Sequence, residues 1–140
     1  MATQHRSITI ERTADKSGLT VTNVRGGQLT FASADDAAFT PVELLLAAIG
    51  GCTVLDVVAL TSRRAEPDEF RVNVEADKIR DEHGNRLVDI EITFHVSFPD
   101  TPGGDAAREI MPEMVRRSHD RLCTVSRTVE LGTPIATTIA

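Results

Sequence analysis

The stretch Thr40–Arg64, TPVELLLAAIGGCTVLDVVALTSRR, is the longest apolar run in the chain and carries Cys52, one of two cysteines, near its middle. Thr40 is suited to cap a helix, with its oxygen accepting from the Glu43 N–H. Pro41 fits the first helical position, where a missing N–H costs nothing, and Glu43 can reach back to close a capping box. From Leu44 to Leu60 the side chains are nearly all apolar or small, with no polar stripe at period 3.6. The expectation is a central helix buried on most sides, with Cys52 in an interior or an interface. Gly50 and Gly51 each cost roughly 1 kcal/mol against alanine in a helix. Something is therefore expected to approach the backbone closely just before Cys52: a helix, a partner subunit or a substrate.

Outward from this helix, the chain reads as strands in hairpins. Residues 6–14 and 19–25 alternate in polarity around the turn residues Asp15-Lys16-Ser17-Gly18, and Gln28 to Ala32 can add a third strand after Gly26-Gly27. A polar, small-residue loop, Ser33 to Ala38, then leads to the helix. Beyond it, Phe70, Val72, Val74 and Ala76 alternate with polar residues, as do Val88, Ile90, Ile92, Phe94, Val96 and Phe98, and the turn Asp81-Glu82-His83-Gly84-Asn85 lies between. A second helix is expected over Asp105–Leu122, capped by Asp105 and kinked or split at Pro112. Thr124–Leu131 reads as a turn and Thr133–Ile139 as a last strand. The order β-β-β-α-β-β-α-β, with strands in hairpins, predicts an α+β fold with antiparallel sheets.

A length of 140 residues fits a single domain, 1–140, and 41% hydrophobic with 26% charged residues is the composition of an ordinary soluble protein. A net charge of -6, scattered basic residues and no tryptophan or tyrosine argue against a nucleic-acid partner. Gly-Gly and Asp56 interrupt the apolar run, so no membrane association is expected, and MATQHRSITIE lacks a signal-like region, which leads to a cytoplasmic expectation. In such a compartment two thiols far apart in sequence are kept reduced, so any pairing between them is chemical rather than architectural.

A reactive cysteine must become a thiolate, which takes a cation, a helix N-terminus or a metal nearby. Cys52 has none of these in its own helix, and Asp56, one turn on, would raise its pKa. Arg12 and Arg25 are the N-terminal candidates for the missing cation, while Arg121 and Arg127 flank Cys123. His119 and Cys123 stand at a spacing that can share a metal, but two ligands make no site, and neither metal nor cofactor is expected. There is no phosphate-cradling glycine loop and no serine-histidine-acid signature.

The pattern Phe39-Thr-Pro-Val-Glu-Leu-Leu-Leu-Ala-Ala-Ile-Gly-Gly-Cys52, followed far downstream by His119-Asp-Arg-Leu-Cys123-Thr-Val-Ser-Arg127, resembles the OsmC-like family. That family contains osmotically inducible protein C and the organic hydroperoxide resistance proteins. The resemblance implies an intertwined homodimer with antiparallel sheets wrapped around buried central helices. It also implies a thiol peroxidase active in oxidative stress defence. The residue matching Cys52 attacks an organic hydroperoxide and becomes a sulfenic acid, the residue matching Cys123 condenses with it to a disulfide, and an external dithiol reduces that bond. In the family a glutamate directly after the helix-opening proline pairs with an arginine of the first hairpin. Here Val42 occupies that place, leaving Glu43, Arg12 and Arg25 as the residues that could stabilise the thiolate, and Thr124 stands where proline often follows the second cysteine. The alternative is a non-catalytic dimer of the same fold that holds a small apolar ligand at the interface. A normal or raised pKa at Cys52 would favour that alternative.

Overall fold

The computed structural model describes residues 1–33 and 37–140. They form two compact units, Met1–Leu45 and Leu46–Ala140. Part of the loop expected over Ser33 to Ala38 lies outside the described residues.

The first unit holds three antiparallel strands, β1 (Ile8–Arg12), β2 (Leu19–Asn23) and β3 (Gln28–Phe31), in the order β1-β2-β3. The β1–β2 turn is built on Asp15. The Thr13 hydroxyl donates to its carboxylate at 2.6 Å, and Ser17 donates both its N–H (3.0 Å) and its hydroxyl (2.7 Å). These donors, Thr13 first, hold the Asp15 carboxyl at about 2. In the β2–β3 turn the Asn23 side chain accepts from the N–H groups of Arg25 and Gly27, and Gly26 takes a φ of +88° that glycine adopts without strain.

The central helix, α1 (Pro41–Thr61), starts as the capping box predicts: the Thr40 N–H donates to Glu43 Oε1 at 2.9 Å and the Glu43 N–H to Thr40 Oγ1 at 3.2 Å. Its burial differs from the expectation. Ile49, Thr53, Val57 and Thr61 form one buried stripe, while the opposite stripe, Ala48, Gly51, Leu55 and Ala59, is exposed, with Leu55 at 74%. A single chain covers one side of the helix, because a spacing of four presents one face to one neighbour. By length and composition alone α1 would pass as a membrane span, but the regular spacing of its buried positions is that of a helix packed on one side.

The second unit continues with the hairpin β4 (Glu69–Asp81) and β5 (Gly84–Ser97). The approach expected at the paired glycines comes from this hairpin: a Cβ on Gly50 would stand 2.5 Å from Val74 Cγ2, whereas one on Gly51 would meet nothing within 4 Å. The alternation read from Val88 to Phe98 is broken. Asp89 and Ile90 together oppose Ala76 in a bulge, with Asp89 at φ 52°, so Val88 and Ile92 sit on either side of an irregularity rather than in one continuous row.

α2 (Pro102–Arg117) begins earlier than Asp105. Thr101 is the cap, accepting from the Gly104 N–H at 3.0 Å, and Pro102 opens the helix. Pro-Gly-Gly reads as a breaker, but here the glycines answer to packing: a Cβ on Gly104 would fall 1.8 Å from the Pro99 carbonyl oxygen. The helix passes Pro112 without splitting, and a π-helical turn, Ser118–Leu122, follows it. The segment read as a turn is a helix, α3 (Thr124–Leu131), closed by Gly132 at φ 65°. The last strand expected over Thr133–Ile139 is absent. Those residues pair with no strand among the described residues, and Ile135 and Ile139 are 92% and 96% exposed. An apolar alternating segment becomes a strand only where a free sheet edge accepts its backbone. The architecture is α+β with antiparallel sheets, in the order β-β-β-α-β-β-α-α.

Candidate functional site

The two cysteines meet in the second unit. α1 presents Cys52, Thr53 and Asp56 toward residues 118–126, and two polar ties fix that contact. The Thr53 hydroxyl reaches the Cys123 sulfur at 3.5 Å, and the fully buried Ser118 hydroxyl donates to Asp56 Oδ2 at 2.8 Å. Ser118 also accepts the Cys123 N–H through its carbonyl at 2.8 Å, which closes the π-helical turn immediately before the cysteine. The turn of the chain from α2 into α3 thus places Cys123 at the N-cap of α3, where its sulfur accepts the Ser126 N–H at 3.4 Å.

The N-terminus of α3 serves both sulfurs. Its unpaired N–H groups point along the helix axis toward the cap. The Ser126 N–H donates to the Cys123 sulfur at 3.4 Å, and the Val125 N–H favours the charged form of Cys52. Their environments nevertheless push them apart. Burial pushes the Cys52 thiol up; the Val125 N–H opposes this, and Cys123 and Asp56 add to it. Burial would raise Cys123 too, but hydrogen bonds from the Ser126 side chain and N–H, from Thr53 and from Cys52 outweigh it, and the net direction is downward. The two thiols are thus shifted in opposite directions, Cys52 upward and Cys123 downward. Cys123 is 0% exposed, whereas Cys52 is half-buried and is the sulfur that a molecule from outside can reach.

A cavity of about 360 Å³ lies beside Thr53 and Ser126, and neither cysteine is among the residues that line it. Ile49, Ile92, Phe94 and Val115 give it apolar walls, and Thr53 and Ser126, the two residues that hold the Cys123 sulfur, line it as well. His119 stands at its polar side with both ring nitrogens engaged, Nδ1 to Asp120 at 2.9 Å and Nε2 to Glu130 at 2.7 Å. These carboxylates, Asp120 first, raise the His119 pKa. Glu130 also holds the Arg127 guanidinium, so that arginine is turned to its own helix rather than to Cys123.

The remaining candidates belong to the first unit, and each has a local contact. Arg12 donates to the Lys16 carbonyl within the first hairpin, Arg25 lies in the exposed β2–β3 turn, and Glu43 is the return half of the capping box. Sequence reasoning missed Thr53, Ser126 and the Asp56–Ser118 pair. A signal for Ser126 was present: Cys123 and Ser126 have the spacing of an N-cap and its third helical residue.

Comparisons with known proteins agree with this arrangement of elements. Residues 33–138 match the family described as OsmC-like protein. A search of the curated proteins finds no match to the sequence. Among solved structures, a hypothetical protein from Aquifex aeolicus VF5 superposes with a TM-score of 0.71 at 19% identity, covering 94% of this chain and 91% of that one. An OsmC-like protein of unknown function from Vibrio cholerae gives 0.69 at 15% identity over 93% and 95%. An organic hydroperoxide resistance protein from Elizabethkingia anophelis gives 0.58 at 18% identity over 92% and 91%.

Proposed function

Since the chain belongs to the OsmC-like family, we propose that it is a thiol peroxidase that reduces organic hydroperoxides through Cys52 and Cys123. The observation that carries this reading is the tie between the two cysteine-bearing segments, where Thr53, next to half-buried Cys52, reaches the enclosed Cys123 sulfur at 3.5 Å. The apolar cavity lined by Thr53 and Ser126, and the likeness to an organic hydroperoxide resistance protein, support an organic substrate. Cys52 sulfur attacks the terminal peroxide oxygen, the O–O bond breaks, and the alkoxide takes up the Cys52 proton and leaves as an alcohol. Cys52 is then a sulfenic acid. Cys123 sulfur attacks it, the S–S bond forms, and the S–O bond breaks to release hydroxide, which takes a proton from solvent. An external dithiol returns the disulfide to two thiols. Arg12 and Arg25 are the candidates for a cation that draws Cys52 toward its anionic form, with Glu43 as the acidic candidate. The protein acts in the cytoplasm in defence against oxidative stress.

Two copies assemble on this reading as a homodimer. The exposed apolar stripe of α1, Ala48, Gly51, Leu55 and Ala59, is what a second copy would cover.

One observation favours a second reading. A Cys52 thiol pushed up by burial suits a non-catalytic dimer that holds a small apolar ligand in the cavity. Peroxide consumption separates the two. With a dithiol present, cumene hydroperoxide should be consumed faster than hydrogen peroxide, and Cys52→Ser should abolish turnover because a serine hydroxyl cannot replace the sulfur. Cys123→Ser should react once and then gain two or three oxygens at Cys52 under excess peroxide, whereas the intact chain given stoichiometric peroxide loses two hydrogens. Equal peroxide consumption by the natural chain and Cys52→Ser would refute the peroxidase reading.

A further inference from the structure

We propose that Thr53 and Ser126 are positioning residues for the resolving step, holding Cys123 as an anionic sulfur aimed at Cys52 so that disulfide formation outruns further oxidation. This assignment rests on the two-cysteine reading and deepens it.

The Cys123 sulfur is completely enclosed, and two donors converge on it: the Ser126 N–H at 3.4 Å and the Thr53 hydroxyl at 3.5 Å. A fully buried thiolate is costly unless hydrogen bonds replace its lost water. The Ser126 side chain also acts to lower the Cys123 pKa. The Thr53 hydroxyl has one proton and two acceptors in reach, the Cys123 sulfur and the Ile49 carbonyl at 3.3 Å. An anionic sulfur is the better acceptor, so the proton points to Cys123 before resolution. Once the sulfur is part of a disulfide it is a poor acceptor, and the hydroxyl can return to Ile49 without being left unpaired in the interior. The same side chain thus supports the charged sulfur and releases it at no cost in buried hydrogen bonds. Resolution is the attack of the Cys123 sulfur pair on the Cys52 sulfenic sulfur, with loss of hydroxide that solvent protonates. Its rate follows the fraction of Cys123 that is anionic.

The titratable groups on the elements around this sulfur are Cys52 and Asp56 on α1, His119 in the π-helical turn, and Arg127 and Glu130 on α3; Asp56 is tied to Ser118, and Glu130 pairs with both His119 and Arg127. A Thr53 substitution touches none of those pairings, which makes its pH signature specific.

Rapid mixing with stoichiometric cumene hydroperoxide resolves the two steps, the first as peroxide loss and the second as intrachain disulfide. Thr53→Val keeps the shape and removes the hydroxyl. It should slow the second step about tenfold more than the first near neutral pH, and move the second step's pH profile upward by about one unit, as loss of one hydrogen bond to an anion requires. Thr53→Ser should restore both rate and profile, and Ser126→Ala should give a smaller effect in the same direction. A second readout needs no turnover. In Cys52→Ser, thiolate absorbance at about 240 nm titrates Cys123 alone, and adding Thr53→Val should raise its midpoint. If the natural chain consumes peroxide and forms its disulfide, but Thr53→Val resolves at an unchanged rate with an unshifted profile, the Thr53 and Ser126 assignment is wrong. If the natural chain forms no disulfide at all, the peroxidase reading has failed instead, and an unmoved Cys123 midpoint in the second readout would overturn this assignment by itself.

Discussion

Replacing Gly50 by alanine adds one methyl group two residues before Cys52, and the structure sets two opposing effects on it. Alanine in a helix interior is worth about 1 kcal/mol over glycine. Against that, the new Cβ would stand 2.5 Å from Val74 Cγ2 on β4, whereas carbon atoms rest at about 3.5–4.0 Å. One side must give by about an ångström. Val74 is β-branched and stiff at χ1 on a paired strand, so it cannot swing away as a longer side chain would. Forcing an extra methyl into such a contact costs about 1–3 kcal/mol. The overlap wins, and Gly50→Ala should lower stability by about 1 kcal/mol net, a fall in melting temperature of roughly 3–6 °C for a chain of this size. A thermal or urea double-mutant cycle with Val74→Ala is the assay. Removing the Val74 methyls relieves the overlap, so the two changes should be non-additive, with a coupling of about 1 kcal/mol in the stabilising direction. A Gly50→Ala protein as stable as the natural chain, or full additivity with Val74→Ala, would refute the view that strand β4 is what demands glycine there.

Light scattering on dilute protein should give the mass of two chains, and Leu55→Glu on the exposed stripe of α1 should shift it toward one; a natural chain that is already monomeric removes the proposed interface. Glu43→Gln should keep turnover within a few-fold, since glutamine can make the same return bond to the Thr40 N–H. A large loss of rate at unchanged melting temperature would show that its charge matters. His119, with its folded pKa raised by Asp120 and Glu130, contributes stability that is fully present below its unfolded pKa of about 6.5 and lost as pH rises through the folded value. His119→Gln should therefore destabilise most below about pH 6.5 and progressively less as pH rises, and identical pH–stability curves for the two proteins would argue against the pairing.

The sequence was most legible where local chemistry alone decides the structure. Thr40-Pro41 with Glu43, and Asp15 in its turn, each satisfy backbone groups within a few residues, and the structure has both as read. Misreadings came where a distant contact settles the matter. Thr101-Pro102-Gly-Gly reads as a breaker unless one knows that the Arg64 carbonyl, far back in the sequence, occupies the space beside Gly103. The β5 alternation looks continuous because the bulge at Asp89 depends on what Ala76 pairs with across the hairpin. Thr133–Ile139 has the pattern of a strand and finds no edge among the described residues, and α1, apolar all round, has one face covered by its own chain.

The site divides along the same line. Both cysteines were visible as residues, and the family resemblance implied a role for each, but what surrounds each sulfur was not visible. Asp56, one turn beyond Cys52 in sequence, could be read as an influence that raises its pKa, and it does act in that direction. Thr53 looked like an ordinary small polar neighbour in an apolar run. Its hydroxyl gains a role only when the π-helical turn carries Cys123 to the cap of α3 and sets the sulfur 3.5 Å away. Cysteine is not among the usual cap residues, so Thr124–Leu131 read as a turn, and with that the helix N-terminus serving both sulfurs was lost. A thiol in the cap position gives up the stronger oxygen cap of serine or aspartate. In exchange, the free N–H groups of α3 act on sulfur, Ser126 on Cys123 and Val125 on Cys52. Restoring an oxygen there, as Cys123→Ser does, should therefore cost the resolving thiol while leaving α3 capped. The melting temperature of that variant should stay close to that of the reduced natural chain, and a marked fall would mean that the sulfur serves packing more than chemistry.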